Sequence, residues 1–162
     1  MKTIIRTLIL LLIVMWLGGV MFFPIVAATA FGTLSDTHAA GTVVAHCLRI
    51  LHEEGLFAGA AIVVLLIAGQ VTRALPRPGA ASVVVTLIML ALTAFSQFWT
   101  IPQMEKDRIA VGGAIDDVPA TNPYHADFNR RHALSEKTEE GVLLAGIVLV
   151  VLLCREPKTV RG

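Results

Sequence analysis

Apolar runs at 7–31, 55–72 and 79–101, with a shorter one at 141–154, dominate what this chain can fold into. A bilayer hydrocarbon core about 30 Å thick is crossed by about 20 helical residues. The first three runs meet or nearly meet that length, and the fourth meets it only if its helix starts earlier. Asn122-Pro123 provides such a start, with Asn as the cap and Pro at the first helical position. The second run is likewise extended, because the mixed-polarity segment 42–54 enters it without a proline. The reading is an all-α membrane protein, a four-transmembrane-helix bundle whose helices 2 and 4 protrude on the outer side. The spans fall at about 7–31, 43–72, 79–101 and 126–154, with an outer loop at about 110–123. Residues 1–162 form a single domain, since nothing outside the spans is long enough for a second core.

Composition agrees with this solvent. Hydrophobic residues make up 56% of the chain and charged ones 15%, and the mean hydropathy is +0.76, outside the range of ordinary soluble domains. The 13 basic and 12 acidic residues include no basic run of the kind that follows a phosphate backbone, so nucleic acid is not expected as a partner. Expected partners are the lipid bilayer and either a second copy of the chain or another membrane protein. A transport pathway would require an oligomer, since four spans rarely enclose one alone.

Ala28-Thr29-Ala30 resembles a signal-peptidase site. The apolar run before it exceeds the 7–15 residues usual for a leader and contains Trp16, Gly18, Gly19 and Pro24, which suit a permanent, packed helix. Lys2, Arg6, Arg73, Arg77, Arg155, Lys158 and Arg161 flank the spans on one side, which places both termini in the cytoplasm. The short inward turn is then Leu75-Pro76-Arg77-Pro78. Cys47 and Cys154 fall at opposite faces, which excludes an internal disulfide and leaves them as small core residues. Gly18, Gly19, Gly55, Gly59, Ala60, Ala61, Gly69 and Gly146 are expected to permit close helix approach. Met15, Met21 and Met104 are expected to fill the core.

Polar residues recur at helical spacing near the outer ends of the spans. Phe128, His132, Ser135, Glu139, Val142 and Gly146 define one stripe of the fourth helix, with Arg131 at its border and Arg130, Lys137 and Glu140 on the solvated face. In the second helix His46, Arg49 and Glu53 share a stripe, and His52 points elsewhere. With Glu105 and Arg108 beyond the third span, the candidate site is His132, Ser135, Glu139, Glu105, Arg108, His46, Arg49 and Glu53. Polar groups at membrane depth are functional hypotheses by default, though ion pairs can equally lock helices in register. No Glu-x-x-His pair on two helices supports a di-metal site, and His52-Glu53-Glu54 is not a zinc-protease motif. Asp116-Asp117 is too little for calcium. No cofactor or metal is expected. Haem or a transition metal held by His46 and His132 is the minor alternative. No catalytic motif is visible, so the chain does not read as an enzyme.

Trp16-x-Gly18 with Pro24, the Pro102-x-x-Glu105-x-x-Arg108 segment, and Phe128-x-x-x-His132-x-x-Ser135 together resemble the bacterial relatives of transmembrane protein 205. That is a four-span membrane family carrying a domain of unknown function. Arg131 and Glu139 depart from that pattern, where an apolar residue and Asn are usual, and make the polar site more charged. The resemblance implies a multi-span helical protein of the bacterial inner membrane with no assigned enzymatic activity, some of whose eukaryotic members are connected with export or resistance. Sequence thus points to a non-enzymatic membrane protein with an outward-facing polar site for a small solute, an ion or a partner membrane protein. The alternatives are metal or haem binding, and a scaffold in which the polar cluster only locks helix register.

Overall fold

A computed structural model describes residues 2–72 and 80–154. Helix α1 covers Lys2–Thr33, α2 Thr37–Val71, and α3 Ala80–Phe95. A π-helical turn, Ser96–Thr100, joins α3 to α4 (Ile101–Ala110), and α5 covers Pro123–Cys154. No strand is present among the described residues. The Leu75-Pro76-Arg77-Pro78 turn and the basic residues Arg73, Arg77, Arg155, Lys158 and Arg161 lie outside the described residues.

Three helices are long and apolar enough to cross a membrane: Thr3–Thr33, Thr37–Val71 and the continuous Ala80–Ala110. This is therefore a helical membrane protein. Helix α5 is equally long, but Lys137, Glu139 and Glu140 precede its apolar part at 141–154. At 1.5 Å per residue that part spans about 21 Å.

The packing forms a ring in which α1 meets α2, α2 meets α3, α3 and α4 meet α5, and α5 returns to α1. Cross-contacts fix the directions. Trp16 lies against Gly55 and Gly59, Leu51 against Gly19, Leu90 against Gly59, Leu92 against Gly141, and Leu17 against Gly146. Residue numbers rise on one helix as they fall on its neighbour, so the ring runs up and down in alternation. Its centre holds Ile9, Ile13, Trp16, Leu17, Val20, Leu51, Ala58, Ile62, Leu66, Met89, Val142 and Leu149.

Glycine decides where helices can touch. A Cβ on Gly55 would strike the Trp16 indole, one on Gly59 would strike both Trp16 and Leu90, and one on Gly146 would strike Leu17. Gly19, Gly55, Gly59 and Gly146 therefore serve close approach, as small residues do between apolar helices. Gly18 does not, because nothing stands within 4 Å of its Cβ direction. Met15 and Met21 are exposed on the outer surface of α1, and the buried methionine is Met89. The reason is phase: residues three or four from Trp16 face inward, and Met15 and Met21 fall between them.

The π-turn has a local cause. Pro102 offers no N–H to the preceding turn, and its ring crowds the carbonyl four residues earlier. Widening the helix, with Ile101 N–H bonded to Ser96 O, relieves the crowding. Helix α4 ends where Gly112 (φ 82°) and Gly113 (φ 99°) enter the left-handed region, which only glycine adopts freely. Helix α5 starts at Pro123, with the Asn122 carboxamide accepting the Tyr124 N–H at 2.9 Å.

Gly55→Val is expected to destabilise the bundle by about 2–3 kcal/mol, since the 1%-exposed Trp16 has no room to retreat. Gly18→Val should leave stability unchanged. Thermal unfolding of the two variants in detergent checks the pair.

Candidate functional site

The polar residues gather in three separate places in the bundle. The innermost is built on His52, only 1% exposed. Its Nε2 lies 2.6 Å from Glu139 Oε1 on α5, and its Nδ1 lies 3.2 Å from Gln97 Oε1 in the π-turn. His52 is directed inward because it is three residues before Gly55, whose face is fixed by Trp16.

A line of small hydroxyl residues lies along α3 and the π-turn that carries Gln97. Ser82, Thr86, Thr93, Ser96 and Thr100, with Met89 among them, are all buried on one face of α3 and the π-turn. Leu90 and Leu92, on either side of Thr93, contact α2 and α5 respectively, so this face looks into the bundle centre. Thr86 donates to the Ser82 carbonyl at 2.8 Å, a common way to satisfy a hydroxyl within a helix. The hydroxyls of Thr93, Ser96 and Thr100 make no hydrogen bond within the described protein. Ser135 and Thr138 of α5 are also buried.

The second place joins α4 to α5. Arg131 pairs with Asp107, which is 9% exposed at its side chain, and reaches Asp127 at 3.7 Å. The third joins α2 to α4 and to the loop beyond it. Arg108, 12% exposed at its side chain, donates to Glu105 Oε2 at 3.3 Å and to Thr42 Oγ1 at 3.1 Å. His38 Nδ1 lies 2.7 Å from Gly113 O. That carbonyl can only accept, so Nδ1 donates to it, and the guanidinium 3.1 Å away packs beside the ring.

The eight residues expected to form one site are thus divided. Glu139 enters the His52 trio, Glu105 and Arg108 pair with each other at the α2–α4 seam, and Ser135 is buried on the inner face of α5. His46, Glu53 and His132 are exposed. His46 bonds the Thr42 carbonyl of its own helix, and His132 stacks on Phe128 and stands 3.6 Å from Glu136. Arg49, half-buried, makes no ion pair among the described residues. The two histidines of the haem alternative therefore both face outward. His52, expected to point elsewhere, is the buried histidine.

On α5 the difference is one of helix phase. The inward stripe of α5 is Ser135, Thr138, Val142, Gly146 and Leu149; it keeps Ser135, Val142 and Gly146 of the expected stripe and is turned from it by about 40°, which leaves His132 exposed and Glu139 half-buried. Arg131, placed at the border, is accommodated because Asp107 neutralises it. Asp107 was missed. It continues the spacing of Thr86, Thr93 and Thr100 by a further seven residues, and that regular recurrence was the available signal. Cys47 and Cys154 are both free, but Cys154 is exposed at the end of α5 and does not fill the core.

Among the described residues, no three His, Cys, Asp or Glu side chains gather in a way that could hold a metal ion. What the arrangement provides is two matched ion-pair seams and one buried centre with hydrogen-bonding capacity unused.

Asp107→Asn is expected to cost about 3 kcal/mol in detergent unfolding, because Arg131 loses its buried counter-charge. Replacing both partners, with Asp107→Leu and Arg131→Met, should recover most of that loss. A double variant no better than the single one would show that the seam contributes more than charge matching.

No curated protein and no solved structure matches the chain. A family model does match, over residues 11–108, which is more than half of the sequence and includes Trp16, the glycine seat of α2, the hydroxyl line and Arg108. The chain belongs to the family defined by the domain of unknown function DUF4149.

Proposed function

We propose that this protein is a four-span bundle of the bacterial inner membrane, with both termini cytoplasmic, that binds a small polar solute or ion in its outer half without performing chemistry on it. The binding centre is His52, Gln97 and Glu139 with the hydroxyls of Thr93, Ser96 and Thr100. The observation that carries this reading is that these three hydroxyls are buried to 0–1% exposure yet have no partner. Such burial costs free energy unless water or a guest completes the bonds.

Helix α5 supplies the fourth span. Its apolar part is short, and Glu139 answers to His52 across the bundle rather than to lipid. Phe95 and Trp99 stack at 5.0 Å, with Phe98 70% and Trp99 46% exposed, an arrangement suited to the outer membrane–water boundary. Gln97 sits at that level, so the centre lies just inside the boundary. The outer ends of α2 and α5, with α4, extend beyond it. The Asp107–Arg131 and Glu105–Arg108–Thr42 seams are matched throughout, and we read them as locks on helix register. The likeness to transmembrane protein 205 is consistent with this account at Trp16, Pro24, Pro102, Glu105 and Arg108, all inside the matched segment.

Two experiments test it. Thr93→Val, Ser96→Ala and Thr100→Val combined should leave the dialysed protein as stable as the native chain or up to about 3 kcal/mol more so, because unpartnered buried hydroxyls are removed. A large loss of stability would mean the hydroxyls hold the fold and do not receive a guest. For topology, a Cys47→Ser protein retains only Cys154, which is exposed. A membrane-impermeant maleimide should label it in spheroplasts only after permeabilisation. Labelling of intact spheroplasts would mean that α5 does not cross.

A further inference from the structure

We propose that the α1–α2 seam carries a second binding site, built on Glu54, for a lipophilic organic cation that enters from the bilayer. The site lies apart from the polar centre and does not depend on a guest there. Glu54 follows His52 by two residues and is turned from it by about 200°, away from Gln97 and Glu139. It is half-buried, and its Oε1 is shut off from solvent with no hydrogen-bond partner among the described residues. The carboxylate leans on α1, where its Oε2 would stand 3.9 Å from a Cβ on Gly19. Both helices are among those long and apolar enough to cross a membrane.

Nothing in this seam matches the charge. Helix α1 has no Lys, Arg or His after Arg6, which lies about 20 Å along the axis from Gly19. On α2, Arg49 is turned by about 140° from Glu54, toward the face of Thr42, which contacts α4. His46 stands about 12 Å further along the helix and bonds the Thr42 carbonyl. A carboxylate that only locked helix register would face an opposite charge, as Asp107 faces Arg131. An unmatched one within a membrane span is costly, and a cation offsets that cost.

The shape around Glu54 indicates what kind of cation. Gly19 brings no side chain to the seam, and one turn to either side of it stand Met15 and Phe22. One turn to either side of Glu54 stand Ile50 and Phe57. All four are large, apolar and 42–69% exposed, so they face lipid. They frame a notch with the carboxylate at its base and walls against which alkyl or aryl groups can lie. The rings of Phe22 and Phe57 add attraction for a positive charge placed over their faces. An inorganic cation would want several oxygens, but Glu53, the adjacent acid, is turned by about 100° and exposed. An anion would be repelled.

The probe is tetraphenylphosphonium, which has one positive charge, four aryl arms and no hydrogen-bond donor. Its binding to the full chain in phosphatidylcholine nanodiscs is measured by equilibrium dialysis, with empty discs as the reference. A single saturable site per chain is expected. The isosteric Glu54→Gln should weaken affinity about tenfold or more, as for loss of a desolvated charge partner. Phe57→Ala, on the lipid face and outside the core, should weaken it about threefold. Glu140→Gln, which removes the same charge from the exposed face of α5, should change nothing. Tetramethylammonium at equal concentration should not displace the probe, and replacing part of the lipid by phosphatidylethanolamine should leave affinity unchanged.

The proposal is overturned by binding no greater than to empty discs, by unchanged affinity in Glu54→Gln, or by an equal loss in Glu140→Gln. Displacement by tetramethylammonium would reduce the site to surface charge, and competition by phosphatidylethanolamine would make its occupant a lipid amine; either result sinks the proposal. Should Glu54→Gln fail to fold, Phe57→Ala decides, since unchanged affinity there removes the notch.

Discussion

The contact on which the rest of this structure depends is the Trp16 indole against the backbone of α2 at Gly55 and Gly59. An indole is large and flat, and it can approach a helix axis this closely only where no side chain intervenes. Its seat fixes the rotation of α2 about its own axis. Rotation then determines everything else that helix presents: Leu51 against Gly19, Ile62 and Leu66 in the core, and His52 toward Gln97 and Glu139. A packing contact between apolar groups thereby places a polar side chain where none would go by preference.

The three polar places illustrate two different ways of keeping charge inside a helical bundle. At the Asp107–Arg131 seam every charge has an opposite, and the pair lies toward the more polar end of α4 and α5, where desolvation is partial. Around His52 a short contact joins the imidazole to Glu139, and the hydroxyls of Thr93, Ser96 and Thr100 remain unmatched. Matched charges confer register and resist change. An incompletely matched polar centre has free energy to gain from a guest.

Much of the architecture was legible in the sequence, because long apolar runs, Asn122-Pro123 and the glycines act over a few residues or through bulk hydropathy. Helix phase was less so. His46, Arg49 and Glu53 make a convincing stripe in isolation, as do Phe128, His132 and Ser135, yet a stripe shows only which residues share a face. Which face turns inward is decided by neighbours, here by Trp16 for α2 and by Leu17 and Leu92 for α5. The His52–Glu139 pair joins residues 87 apart, and no local pattern connects them. A better guide was present in the recurrence of Thr86, Thr93, Thr100 and Asp107 at every seventh position, since small polar residues on that period in an apolar span mark an interior seam.

The unequal apolar lengths of the helices bear on the lipid around them. Thr3–Thr33 offers a wall of 31 residues, while the opposing wall at 141–154 offers about 21 Å. With α5 as the fourth span we propose, a bilayer meeting both thins on one flank and thickens, or lets α1 lean, on the other, at a cost of fractions of a kcal/mol per Å. The molecule therefore carries an asymmetric lipid collar, and membrane thickness becomes a variable that acts directly on the angle between α1 and α5. Because Leu17 and Gly146 join those two helices, the composition of the surrounding membrane is mechanically connected to the floor of the polar centre.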